Sequence, residues 1–144
     1  MTSPTNGETL EKEMASTNPD KKIDLTATLN ADGTISINGN GDDALATNSG
    51  SRKYKFELDD NQLGVSFSSL DAADGITGCP PTGSGNQSSQ IDDVSIGSLR
   101  ASFKDKNNND AAKGVLNVSY QWNFTCPGKT VHPFDPIISN GGKT

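Results

Sequence analysis

IDLTATLNADGTISI, residues 23–37, is the stretch on which the fold class turns. Ile23, Leu25, Ala27 and Leu29 alternate with Asp24, Thr26 and Thr28, the period of a strand with one face buried and the other in water. NADG follows, and Gly33 is free to take the positive φ that a tight turn demands. Ile35 and Ile37 then resume the alternation. Two alternating runs joined through Asp-Gly predict a β-hairpin.

The same period recurs outward from this hairpin. RKYKFEL (52–58) sets Tyr54, Phe56 and Leu58 against Lys53, Lys55 and Glu57, and LGVSFSSL (63–70) points Leu63, Val65 and Phe67 one way. VSIGSLRASF (94–103) reads as a further strand bent at Gly97. GVLNVSYQWNFTC (114–126) is the longest, with Leu116, Val118, Tyr120, Trp122, Phe124 and Cys126 on one face. A last short strand falls at PIIS (136–139). About seven short strands with turn residues between them, no helical period and no repeat predict an all-β chain. The architecture expected is a single antiparallel β-sandwich, immunoglobulin-like or cupredoxin-like. Residues 22–140 form the domain, residues 1–21 an unstructured or loosely docked arm, and residues 141–144 a flexible tail. The 71–90 segment, DAADGITGCPPTGSGNQSSQ, is a long loop of the kind that often carries function.

Charge and hydropathy limit the partners. The chain has 144 residues, a net charge of −6 and a pI near 4.6. That balance argues against nucleic acid and anionic lipid, both of which require clustered Lys and Arg. No run approaches the roughly 20 apolar residues of a membrane-spanning helix, so no membrane insertion is expected. No basic start followed by an apolar run precedes the domain, which places the chain in the cytoplasm as written, or in a secreted or periplasmic setting if a leader precedes it.

The carboxyl-terminal third, KDKNNNDAAKGVLNVSYQWNFTCPGKTVHPFDPIISNGG, resembles the end of small bacterial β-sandwich proteins, loosely similar to the PixA- and AidA-type inclusion-body proteins. Asp105 and Asn107 match a D-x-N turn, Tyr120 and Trp122 an aromatic strand, and Asp135, Pro136, Ile138 and Asn140 a closing D-P-x-I-x-N. The resemblance implies a bacterial sandwich without a catalytic residue to carry over.

Several candidate sites can be weighed on the residues alone. A blue-copper centre needs two imidazoles, and His132 is the only histidine. Zinc on Cys79, Cys126, His132 and an Asp lacks the C-x-x-C knuckle of a structural site. A Cys79–Cys126 disulfide would close 46 intervening residues, worth about 4 kcal/mol by chain entropy, but a reducing cytoplasm opposes it. Catalysis by His132 has no flanking nucleophile motif. Paired-carboxylate hydrolysis has little to draw on, because Glu57 is the only glutamate outside the arm.

Two polar constellations remain. DKNNND (105–110) presents oxygen ligands at Asp105, Asn107, Asn109 and Asp110, the beginning of a calcium loop without the glycine and terminal glutamate of an EF-hand. Calcium is therefore the one cofactor entertained. Asn117, Ser119, Gln121 and Asn123 line the polar face of the long strand and offer a row of hydrogen-bonding groups, although such a row is usually the wet face of an antiparallel sheet. The reading that follows is a non-enzymatic binding or self-assembling module, with a carbohydrate-binding, calcium-assisted domain as the alternative. Its partner is protein self-association or carbohydrate.

Overall fold

A computed structural model describes residues 17–144 of the chain. The expected hairpin forms: β1 (Lys21–Leu29) pairs antiparallel with β2 (Ile35–Asn38), and Gly33 sits at φ 87° in the turn. The remaining strands are β3 (Asp43–Leu45), β4 (Arg52–Asp59), β5 (Ser66–Asp74), β6 (Ile91–Ile96), β7 (Arg100–Asp105), β8 (Leu116–Thr125) and β9 (Ile137–Asn140). Among the described residues a single 3-10 turn (Ala111–Lys113) occurs, just before β8.

The strands make a β-sandwich of two sheets, β2-β1-β4-β7-β6 and β3-β9-β8-β5. Most pairs are antiparallel, but β1–β4 and β3–β9 run parallel. VSIGSLRASF divides into two strands where one bent strand is expected. The Gly97 N–H donates to the Arg100 carbonyl at 2.8 Å and closes a hairpin there. Asp93, at φ 52°, adds a bulge that shifts the β6 register between Asp92 and Ser95. That bulge turns Val94 and Ile96 outward on an edge strand.

The core is aromatic and spans both sheets. Phe56 and Phe103 of the five-stranded sheet meet Trp122 and Tyr120 of the four-stranded one, with Phe56–Trp122 centroids at 5.4 Å and Phe103–Tyr120 at 5.0 Å. All four rings are at most 1% exposed, and edge-on approaches of this kind add to the energy of simple burial. The Tyr120 hydroxyl donates to the Gly41 carbonyl at 2.8 Å. A Cβ at Gly41 would lie 2.4 Å from that hydroxyl, so only glycine fits.

Both ends of the domain are tied down within the described residues. Thr17 bridges Ser51, and β1 opens at Lys21; residues 1–16 of the expected arm lie outside the described residues. The expected flexible tail is instead docked. Gly141 N–H donates to Leu45, Gly142 N–H to the Asn107 side chain and Lys143 N–H to Asn109. No helix among the described residues is long and apolar enough to cross a membrane.

Phe103→Ala should lower unfolding free energy by about 3–5 kcal/mol in urea denaturation, while Val115→Ala should change it by less than about 0.5 kcal/mol. The contrast follows from Phe103 at 0% exposure and Val115 at 65%.

Candidate functional site

The features that combine burial, charge and open space meet at one end of the sandwich, where β7 leaves the five-stranded sheet. Asp105, the last residue of β7, is 0% exposed. Its Oδ1 accepts from the Asn107 N–H at 2.9 Å, an Asx turn, and from Asn140 Nδ2 at 2.7 Å. Asn140 ends β9 of the opposite sheet, so this bond crosses the sandwich. Asn107 takes a left-handed φ of 48°, which Asn tolerates, and its side chain turns inward. Its Nδ2 donates to the Ala46 and Gly50 carbonyls, and its Oδ1 accepts from Gly142 N–H at 2.8 Å.

A cleft of about 400 Å³ opens over this knot. Thr17, Asn48, Ser51, Asn107 and Asn108 line it, together with Lys104, Lys106 and Lys143. Alternation along β7 sends Phe103 and Asp105 inward and Lys104 outward, with Lys106 following in the turn. Lys143 arrives on the docked tail. None of these lysines makes an ion pair with a described residue, whereas Lys21, Lys22, Arg52, Lys55 and Arg100 all do. Asp43 shows the contrast. Lys21 at 3.3 Å, Arg52 at 2.9 Å and the Tyr54 hydroxyl at 2.7 Å surround it, and although burial raises its pKa, the Tyr54 and Arg52 bonds outweigh that and hold it low.

The four oxygen donors of the predicted calcium loop do not come together as drawn. Asn107 is spent on the backbone bonds just described, and Asp110 caps the 3-10 turn by accepting from Ala112 N–H. Of the four, Asp105 and Asn109 keep a buried oxygen without a partner among the described residues. Among the described residues no three of His, Cys, Asp and Glu are grouped to hold a metal.

Cys79 and Cys126 are both free thiols, which corrects the expected disulfide. Cys79 is exposed and donates to Asp135, a bond that raises its pKa. Cys126 is buried, and its thiol faces the Leu63 carbonyl at 3.1 Å. The loop leads Cys79 toward Asp135, after the end of β8, rather than back to Cys126. His132 is exposed, with Nε2 3.1 Å from the Thr34 hydroxyl. That hydroxyl donates to Asp32 at 2.6 Å, so it braces the β1–β2 turn and lies between acid and imidazole, not beyond the imidazole as in a triad.

The polar row on β8 is neither wet nor open. The expected 71–90 loop begins later than the sequence suggests, because Asp71–Asp74 continue β5 and pair with β8. Ser119 and Gln121 are at most 1% exposed because the loop that follows, residues 75–90, folds across them. Ser119 donates to the Ile76 carbonyl, Gln121 to Thr82, and Asn123 to Asp71 at 2.7 Å; Asn117 is half-buried at the strand's start. Asp71 is the anchor, accepting also from Gly83 and Gly85 N–H; burial raises its pKa, but the Gly83 and Asn123 bonds outweigh this and keep it low. The row's ligand is the chain's own loop.

Sequence reasoning passed over Asn140 as a site residue and over the lysine cleft. The lysines are far apart in sequence, and only the Lys104–Lys106 spacing marks two of them for one side of the chain. Comparison of the chain with protein-family models, curated proteins and solved structures finds no match.

Burial pushes the Asp105 pKa up to about 6, against the lowering effect of the Asn140 and Asn107 bonds. A carboxyl whose folded pKa is raised binds its proton more tightly in the folded state. Its contribution to stability is therefore complete below about pH 4 and is lost as pH rises through 6. In chelator-containing buffer, Asp105 should remove about 2 kcal/mol of stability between pH 4 and 7. Asp105→Asn should flatten that slope in pH-dependent urea titrations. In the same way, Asp71→Ala should free the covering loop, seen as proteolytic nicking between Thr77 and Ser84 under conditions that spare the parent.

Proposed function

We propose that this chain is a binding module whose lysine-lined cleft takes a small, acidic, polyhydroxylated ligand, a carboxylated or sulfated saccharide. The observation that carries the reading is the gathering of Lys104, Lys106 and Lys143 around one cleft in a chain of net charge −6. Three lysines that make no ion pair with a described residue form a local positive potential that attracts an anion. The amide and hydroxyl groups of Asn48, Asn108 and Ser51 in the lining suit sugar hydroxyls.

Scale and lining favour a saccharide over nucleic acid. About 400 Å³ accommodates a sugar or two rather than a duplex, and the lining has no aromatic ring on which a base could stack. The global negative charge also opposes a long polyanion. Binding is a better account than catalysis because the groups that sequence singles out as chemical have structural partners. The His132-linked hydroxyl braces a turn, the Cys79 thiol is held by Asp135, and Cys126 is buried.

A second reading, self-association, is favoured by the β6 edge, where Val94 and Ile96 and the adjoining Leu99 are 39–43% exposed. An edge strand with apolar side chains offers a second copy both backbone and contact area.

Isothermal titration with uronic-acid and sulfated oligosaccharides, alongside neutral ones and an oligonucleotide, tests the first reading. Acidic sugars should bind and neutral ones should not, with affinity falling as salt rises. Lys104→Glu with Lys106→Glu should weaken binding at least about tenfold while thermal unfolding stays near the parent's, since exposed substitutions are usually mild. Equal binding of neutral sugars, preferential binding of the oligonucleotide, or an unaffected double variant would refute it.

A further inference from the structure

Three buried acceptor oxygens beside the cleft have no hydrogen-bond partner among the described residues: Asp105 Oδ2, Asn109 Oδ1 and Asn140 Oδ1. Buried acceptors are nearly always satisfied, and leaving one unsatisfied costs about 1–3 kcal/mol. Three on residues bonded to one another call for an occupant. They belong to one connected group. Asn140 Nδ2 donates to Asp105 Oδ1 at 2.7 Å, and Asn109 Nδ2 to the Asn140 carbonyl at 3.4 Å. Each orphan oxygen is thus one carboxyl or amide width from a bond that joins its residue to the next. Asp105 and Asn140 are both 0% exposed.

Their chemistry narrows the occupant. Nearby backbone N–H groups are already directed elsewhere: Asn107 N–H to Asp105 Oδ1, Gly142 N–H to Asn107, and Lys143 N–H to the Asn109 carbonyl. All three orphans are hard oxygens, one of them on a carboxylate, and neither cysteine nor His132 belongs to the group. Hard oxygens from a carboxylate and amides suit calcium, which draws the rest of its shell from backbone carbonyls or water. Zinc prefers nitrogen and sulfur.

We infer that Asp105, Asn109 and Asn140 bind a calcium ion in the junction between the two sheets. The site shares only Asp105 and Asn109 with the loop ligands that sequence suggests, and its third ligand comes from the last strand. Calcium there would lock the β7 turn to the end of β9 and set the floor of the cleft, since Asn107 belongs to both. Asn109 is only partly buried, so the ion has a way in from solvent. The inference stands independently of what the lysines bind.

The test uses the full chain, stripped with chelator and dialysed, in thermal unfolding near pH 7.5 with millimolar calcium chloride. Magnesium chloride and sodium chloride at matched ionic strength are the controls. Calcium alone should raise the midpoint by about 5 °C or more, because an ion bound only to the folded state must stabilise it. Calorimetric titration should give one ion per chain. Asp105→Asn, which preserves the acceptor for Asn107 and Asn140, should fold and lose the response; Asn109→Ala, which leaves the inter-sheet bond intact, should weaken it. No calcium-selective shift would overturn the inference and assign the oxygens to protons or ordinary solvent. A shift that survives in both variants would also overturn it, by placing the ion elsewhere.

Discussion

A buried carboxylate at a sheet junction constrains everything around it. Asp105 holds the Asn107 turn on one side and Asn140 of the opposite sheet on the other, both through a single oxygen. Burying that charge is costly unless hydrogen bonds stabilise it. The bonds it makes therefore fix the exit of β7, the end of β9 and the path of the carboxyl terminus. Asn107, placed by the first bond, binds the Ala46 and Gly50 carbonyls and receives Gly142 N–H. The cleft and its three lysines are arranged on this scaffold.

The aromatic core supplies the bulk of the burial but not this precision. Phe56, Phe103, Tyr120 and Trp122 hold the two sheets face to face, and their edge-on contacts set ring angles inside the core rather than the path of the strand ends at its margin. Directional bonds at the margin select one arrangement. Asp43 does so through Tyr54 and Arg52, tying β3 to β4 across the sandwich. Asp105 does so through Asn140. Asp71 performs the same service for the long loop. Each of the three is an aspartate receiving bonds from a different part of the chain.

The fold was legible because alternation is local. The 23–37 hairpin, the β4 run and the Tyr120–Trp122–Phe124 face follow from side-chain period alone. The division at Gly97 was less legible, since a bend and a hairpin turn look alike until the Arg100 pairing is known. The short β3 carries too few residues to show a period, and it exists because β9 offers it a parallel edge. The site was legible only in part. The turn chemistry of Asp105 and Asn107 marks the right loop, but Asn140 is 35 residues from Asp105 and reaches it only through the sandwich. The polar row on β8 misleads for the same reason: period separates its face from the core but cannot show that the loop after β5, residues 75–90, returns to cover it. The cysteines are both well placed for loops and strand ends, yet their partners are Asp135 and Leu63.

The measurement that bears most directly on this account is a double-mutant cycle on Asp105 and Asn140. Asp105→Ala, Asn140→Ala and the double variant are compared with the parent in urea unfolding at neutral pH. If the bond between them organises the junction, the two losses should couple by about 1.5–3 kcal/mol, the range for a hydrogen bond to a charged group. Additive losses, within about 0.5 kcal/mol, would mean that the two residues stabilise the protein separately and that the sheets are positioned by something other than this contact.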